Sequence, residues 1–220
     1  MNTAGAAAAP VPTPRRLLVW RHGETDHNAR GIWQGHLDTP LSGRGRAQAA
    51  AAAAELTAYR PSVLVSSDLQ RAAETAGALA SVTGREVRYD VRLREIHVGE
   101  WQGLTAGDVA ERYPELNEAL AQGEDLPRGV TGETVAQVLD RARPVVAQLL
   151  DQLGAGECGV LATHGVTARA LAADLAGIDQ HVAWRSLAGL HNCHWAVLLE
   201  GRHGWRVEAW NVGVPVPATA

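Results

Sequence analysis

Lysine and phenylalanine are both absent from this chain of 220 residues: all 20 basic residues are arginine, and the aromatic set is 7 Trp and 3 Tyr. GC-rich coding would produce that skew, together with the abundance of Ala, without any selection for function, so the arginine count alone says nothing about phosphate binding. Cysteine is scarce. Cys158 and Cys193 stand alone, with no C-x-x-C pair, which leaves a disulfide scaffold and a cysteine zinc site poorly supported and reads as two free buried thiols. Long apolar runs are missing as well, none approaching the roughly 20 residues needed to cross a bilayer. Met1 to Pro14 carries no positive charge ahead of its short Ala run, which Pro10, Pro12 and Pro14 interrupt, so it does not resemble a signal peptide. The expectation is a cytoplasmic protein with no membrane partner. An excess of positive charge is also lacking: the net charge of −4 gives no electrostatic footprint for nucleic acid.

The length suits one sizeable domain burying roughly 70% of the surface its unfolded form exposes. A hydrophobic fraction of 46% and a charged fraction of 20% are ordinary for a globular protein and argue against disorder or coiled coil. The run Arg16–Trp20 reads as a buried strand that ends abruptly in the polar stretch Arg21-His22-Gly23-Glu24-Thr25. Ser42 can cap a helix reaching about Tyr59, where Pro61 stops it and Ser62–Ser66 forms a second strand. Asp68 is expected to cap a helix that carries Arg71 and ends near Gly84, followed by a strand at Val87–Tyr89. Leu93–Gly103 reads as a structured loop, with a short helix over Asp108–Tyr113 and a polar stretch to Arg128. Val135, Val138, Leu139, Ala142, Val145, Val146 and Leu149 recur at helical spacing and mark one buried face. Gly159–Thr163 is a fourth strand ending in His164-Gly165, Val166–Leu175 is helical, and Cys193–Leu199 with Trp205–Trp210 forms a hairpin. Alternating strand and helix imply an α/β class, a three-layer α/β/α sandwich whose central sheet is mostly parallel with an antiparallel edge strand.

In open α/β sheets ligands bind beyond the carboxyl ends of the strands. Two His-Gly pairs follow strands there, at His22-Gly23 and His164-Gly165, each ahead of backbone N–H groups that could meet an anion. Arg71, near the start of a helix, belongs to the same end of the sheet. Two imidazoles with Arg21 and Arg71 suit a tetrahedral phosphoryl group, because the planar guanidinium makes paired, charge-assisted contacts to its oxygens.

These residues, with Asn28, Gln34-Gly35, the block Ser66–Ala76, the block Leu93–Gly103 and Thr163-His164-Gly165, resemble the histidine phosphatase superfamily, the phosphoglycerate-mutase-like proteins, over Arg16 to about Ala173. The resemblance implies a single domain over residues 15–213 between a disordered tail at 1–14 and a tail at 214–220. It further implies a metal-independent phosphomonoesterase, with no cofactor, that acts on a small-molecule phosphate monoester. His22 would be the nucleophile, Arg21, Arg71 and His164 would hold the phosphoryl oxygens, and Glu95 would protonate the leaving oxygen. Asn28, Gln34, Gly35 and Gly165 would complete substrate binding. The absence of long insertions resembles the phosphatase branch, and Gln34–Thr39, Trp101–Thr105 and Trp205–Asn211 resemble the actinobacterial glucosyl-3-phosphoglycerate phosphatases. Alternatives are a cofactor-dependent phosphoglycerate mutase and a catalytically silent phospho-ligand binding module.

Thr131-Gly132-Glu133-Thr134 departs from the Gly-Gly-Glu-Ser of relatives and leaves that loop's role open. His191, His194 and His203 cluster in sequence, but residues 191 and 194 point to opposite faces of a strand and do not suggest a metal site. Trp33, Trp101 and His97 could line the pocket, though core packing is favoured for the two Trp and a structural or solvated role for His97. The closing strand Trp205–Trp210 offers an edge for a homodimer.

Overall fold

The protein was analysed as a computed structural model that describes residues 13–215. Most of the expected terminal tails, residues 1–12 and 216–220, lies outside the described residues. The elements run β1 (Arg16–Arg21), α1 (Asp26–Ala29), α2 (Gly43–Leu56), β2 (Pro61–Ser66), α3 (Gln70–Thr83), β3 (Val87–Tyr89), α4 (Ala106–Arg112), α5 (Pro114–Ala121), α6 (Val135–Leu150), β4 (Cys158–Thr163), α7 (Gly165–Leu175), α8 (Gln180–Ser186), β5 (Trp195–Gly201) and β6 (Gly204–Val212). The strand order is β3-β2-β4-β1-β5-β6. β3, β2, β4 and β1 are parallel, β5 runs antiparallel to β1, and β6 returns antiparallel to β5.

The alternation of side chains along β1 sorts the two helical layers. Leu17 and Val19 pack with α6 and α7 residues such as Val138, Leu149 and Leu171. Leu18 and Trp20 face the other way, among Ala49, Ala53 and Leu56 of α2 and Ala76 and Leu79 of α3. All four β1 side chains are 1% exposed or less, and burial of each such side chain contributes about 1.5–3 kcal/mol. Three layers result: α6 and α7, the sheet, then α2 and α3.

Most helix starts follow local capping chemistry, while α3, α5 and α7 have no side-chain cap from their N-cap residue. Ser42 accepts from Gly45 N at 3.0 Å, and Thr134 opens α6 through a capping box with Gln137. Asp68, expected to cap α3, does not. Its carboxylate takes a paired contact from Arg94, with Nε at 2.8 Å, and this bidentate ion pair outcompetes a single N–H. The first turn of α3 is capped instead by Asp38, distant in sequence, whose Oδ1 accepts from Gln70 N at 2.7 Å.

Topology places the site. The chain leaves β1 toward the α2/α3 layer, whereas it leaves the adjacent β4 toward α7 in the opposite layer. The two connections diverge at the carboxyl ends of neighbouring strands, which opens a crevice there.

Candidate active site

Parallel register delivers the two His-Gly pairs to that crevice together. Arg21 is opposite Thr163, and His22 N continues the ladder to Thr163 O at 2.9 Å. The His22 and His164 rings are therefore neighbours, with centroids 5.1 Å apart. β2 adds the third piece, since Ser67 N reaches Ala162 O at 2.9 Å and Ser67 Oγ lies 2.9 Å from His164 Nε2.

Arg71, in the first turn of α3, is 1% exposed. Its Nη1 donates to Leu37 O at 2.7 Å and its Nη2 to Gly35 O at 2.8 Å, which aims the guanidinium into the crevice. Gly35 can offer that carbonyl because it adopts φ +51°, and a Cβ there would lie 2.7 Å from Val98 Cγ2. Arg21 is held by the Leu190 carbonyl. Arg21 Nε, Arg71 Nε and His164 Nδ1 are buried and have no partner among the described residues. Three orphan donors from three elements around His22 are the arrangement that an occupant with several acceptor oxygens would satisfy.

Glu95 lines the same cavity as Arg21, His22 and Arg71. Its Oε2 accepts from Val166 N at 3.1 Å and its Oε1 from Thr167 N at 3.1 Å, so the carboxylate sits on the N-terminus of α7. Gly165 lies beside both groups: a Cβ there would be in ordinary contact, 3.6 Å from both Arg21 Nε and Glu95 Oε2. The cavity these residues enclose, about 370 Å³, is lined by three arginines (Arg21, Arg71, Arg169) and a single carboxylate, Glu95. It is built for an anion.

Asn28, Gln34, Gly35 and Gly165 all line this cavity. Asn28 also caps α1, its Oδ1 accepting from Thr25 N at 3.2 Å. Gln34 Oε1 accepts from Thr39 Oγ1 at 2.6 Å and Thr25 Oγ1 at 3.1 Å, which orients the amide. His164 is fully buried beside His22, with its Nδ1 left unpartnered among the described residues. Trp33 lines the cavity, whereas Trp101 is buried behind it, ring centroids 5.4 Å apart. His97 packs against His36 at 5.1 Å outside the cavity. Among the described residues no group of three or more His, Cys, Asp or Glu could hold a metal ion.

A family model for the histidine phosphatase superfamily (branch 1) matches residues 17–213. The chain belongs to that superfamily. Among relatives, the glucosyl-3-phosphoglycerate phosphatase of Mycolicibacterium vanbaalenii is 40% identical over 92% of this chain and 96% of its own length. The Mycobacterium tuberculosis protein of the same name is 41% identical over the same shares. A solved mycobacterial glucosyl-3-phosphoglycerate phosphatase in complex with VO3 superposes with a TM-score of 0.83 at 41% identity, covering 90% of this chain and all of that one.

In this histidine phosphatase Arg141 performs a task that sequence reading missed. From α6 it donates to Arg92 O, Arg94 O and Glu95 O at 2.6, 2.9 and 2.9 Å, and it pairs with both oxygens of Glu133 at 2.8 Å. Glu133 in turn accepts from His97 N at 2.8 Å. Burial opposes ionisation of Glu133, yet Arg141 and the His97 N–H hold its carboxyl below the ordinary value. The 131–134 loop thus buttresses the segment that carries Glu95. Gly132 is required there, because a Cβ would collide with the His97 and Arg128 carbonyls. His36 supports the same segment, its Nε2 lying 2.7 Å from Glu95 O. The signal available in sequence was Glu133 just ahead of the helix that carries Arg141 eight residues later.

Burial, and then the charges of Arg71 and Arg21, push the His22 imidazolium well below its usual range. Burial followed by Arg71, His22 and Arg21 does the same to His164. Both rings are neutral near pH 7. His22 Nδ1 lies 2.6 Å from the Gly23 carbonyl, which can only accept, so Nδ1 carries the proton and Nε2 keeps a free lone pair.

These shifts set a stability prediction. The folded-state values of both histidines lie below the unfolded value of about 6.5, so between the two the unfolded chain binds more protons. The stabilisation is complete above about pH 6.5 and is lost as pH falls, by up to about 1.4 kcal/mol per pH unit for each histidine. Urea midpoints should therefore drop between pH 7 and pH 5.5, and His164→Gln should shrink the drop. A midpoint independent of pH in that window would contradict the assignment.

Proposed function

We propose that this histidine phosphatase hydrolyses glucosyl-3-phosphoglycerate, transferring its phosphoryl group first to His22 and then to water. The observation that carries the reading is a neutral His22 with Nδ1–H tied to Gly23 O, set among orphan donors of Arg21, Arg71 and His164 and lined up with Glu95 in the same cavity. The Nε2 lone pair attacks phosphorus in line, forming the N–P bond as the P–O bond to the leaving group breaks. The Arg21, Arg71 and His164 donors hold the equatorial oxygens, whose charge is redistributed in a loose transition state. Anion binding selects the His164 tautomer with Nδ1–H, Ser67 donating to Nε2. Asn28 and Gln34 offer amide nitrogens to the bound group. Protonated Glu95 gives its proton to the departing oxygen. As carboxylate it then takes a proton from the water that attacks phosphorus and releases His22.

Small phosphorylated metabolites are the substrate class, and the relatives' phosphatase names support the phosphoglycerate type. A panel of phosphate monoesters tests this. Glucosyl-3-phosphoglycerate is expected to give a higher kcat/KM than 3-phosphoglycerate, p-nitrophenyl phosphate or phosphoserine, with EDTA leaving the rates unchanged because the arginines already supply the positive charge. Flat, low rates would indicate broad specificity. Interconversion of 2- and 3-phosphoglycerate faster than hydrolysis would establish a mutase, and absence of turnover a binding module.

Two further assignments accompany this reading. The buried free thiols of Cys158 and Cys193 support a cytoplasmic location, and no helix among the described residues is long and apolar enough to cross a membrane. The outer edge of β6, which pairs with no further strand among the described residues, supports a homodimer, which light scattering would detect as twice the chain mass.

A further inference from the structure

A second cavity, about 240 Å³, adjoins the catalytic one, and the two share Val166 and Arg169 in their walls. Arg169 is on α7 four residues after Gly165, hence on the same helix face. Its guanidinium carbon lies 3.8 Å from the Trp184 ring centroid, and that of Arg128 lies 5.6 Å from the same ring. Stacking on indole holds a guanidinium in place without consuming its N–H donors.

Arg169 has no carboxylate within ion-pair distance among the described residues, and its one protein hydrogen bond is a long 3.4 Å contact to Leu187 O. Of the three acids around the second cavity, Glu124 is exposed and not paired with Arg169, and the other two are engaged elsewhere. Asp125 accepts from Val135 N and Ala136 N at 2.7 and 2.9 Å and lies 3.8 Å from Arg128, and Asp179 accepts from His181 N and Val182 N at the start of α8. Burial lowers Arg169 to about 10, against the raising influence of Glu95 and with Arg128 adding to the fall, so it remains a cation at pH 7. A partly buried cation with spare donors beside a catalytic cavity is an anion site lacking its anion.

From this we infer that Arg169, backed by Arg128, reads a carboxylate on the leaving group, and that the adjoining cavity takes the hydroxylated substituent attached to it. The inference rests on the phosphoglycerate-type substrate proposed above. The leaving oxygen is met by Glu95 on the first N–H groups of α7, and Arg169 follows within the next turn. One helix start therefore addresses both the ester oxygen and an acid group a few bonds away. Beyond Arg169 the second cavity is walled by Gln180, His181 and Trp184, polar and aromatic groups that suit a glycosyl unit. Glycerol phosphate, with the carboxylate replaced by CH₂OH, lacks the group that Arg169 reads.

Steady-state kinetics of the full chain on 3-phosphoglycerate and on glycerol 3-phosphate test it. A charge-assisted contact contributes about 1.5–3 kcal/mol, roughly 10- to 100-fold. The wild type is expected to favour 3-phosphoglycerate in kcat/KM by that factor. In Arg169→Gln the preference should collapse, chiefly through KM for 3-phosphoglycerate, while glycerol 3-phosphate changes by less than about threefold and so reports that the protein is folded. Arg169→Lys should recover part of the preference, because charge is kept and the planar fork is lost. Equal losses on both esters, or a wild type without the preference, would overturn the inference. Should wild type fail to prefer glucosyl-3-phosphoglycerate over p-nitrophenyl phosphate, the substrate reading fails; should it show that preference and Arg169→Gln retain the carboxylate selectivity, the Arg169 assignment alone fails.

Discussion

His22→Ala should lower turnover by on the order of 10⁴-fold or more, because it removes the atom that accepts the phosphoryl group and with it the covalent step. The other groups cannot substitute. Arg21 and Arg71 stay protonated and have no lone pair to offer, and His164 is fully buried with its Nε2 2.9 Å from Ser67 Oγ and its Nδ1–H assigned to the anion. What survives is the positive cavity, so the variant should still bind inorganic phosphate and vanadate. Parallel measurement of anion affinity separates loss of chemistry from loss of fold. Activity of His22→Ala within tenfold of wild type would remove the nucleophile assignment.

Glu95→Gln has an effect that depends on what departs. An alkyl oxygen leaves as a strong base and needs its proton in the transition state, whereas the anion of p-nitrophenol is stable without one. The expected loss is about 10²- to 10⁴-fold on 3-phosphoglycerate and much smaller on p-nitrophenyl phosphate. The Gln side chain keeps an oxygen to accept from Val166 N and Thr167 N, so the start of α7 should hold. Equal losses on the two substrates would move the acid role elsewhere. Neither His97 nor Glu100 is well placed to take it: His97 packs on His36, and Glu100 accepts from Tyr113 Oη at 2.8 Å near the surface.

The elements that place the nucleophile were the most legible. β1 and β4 are uninterrupted apolar runs ending in His-Gly, and a strand buried on both faces between polar loops has few alternative readings. Arg21 and His22 at a strand end and Arg71 at a helix start line one cavity, and Glu95 reaches the same cavity from a loop, its carboxylate held on the first N–H groups of α7. The capping of α3 was misread, since Asp68 has a stronger partner in Arg94 and the actual cap, Asp38, comes from another loop. The short helices α5 and α8 were not anticipated. Each has only one core-facing apolar residue in the buried set, Leu120 and Ala183 respectively, too little for a periodic signal. Asn28 was read as a substrate contact; the residue lines the cavity, and its oxygen also caps α1. Arg141 reaches the Glu95 carbonyl 46 residues away in the chain, with only its pairing to nearby Glu133 as a local hint, and Arg169 acts in a cavity wall that no local pattern reports.

The central claim is a phosphoryl group carried on His22. Rapid acid-free denaturation during turnover, followed by proteolysis and mass spectrometry under alkaline conditions, reads it directly. A phosphorylated imidazole on the peptide containing His22, formed at the rate of turnover, acid-labile and absent in His22→Ala, is the predicted result. Undiminished hydrolysis with no phosphorylated His22 at any time point, under conditions where water attack on the intermediate is rate-limiting, would contradict it.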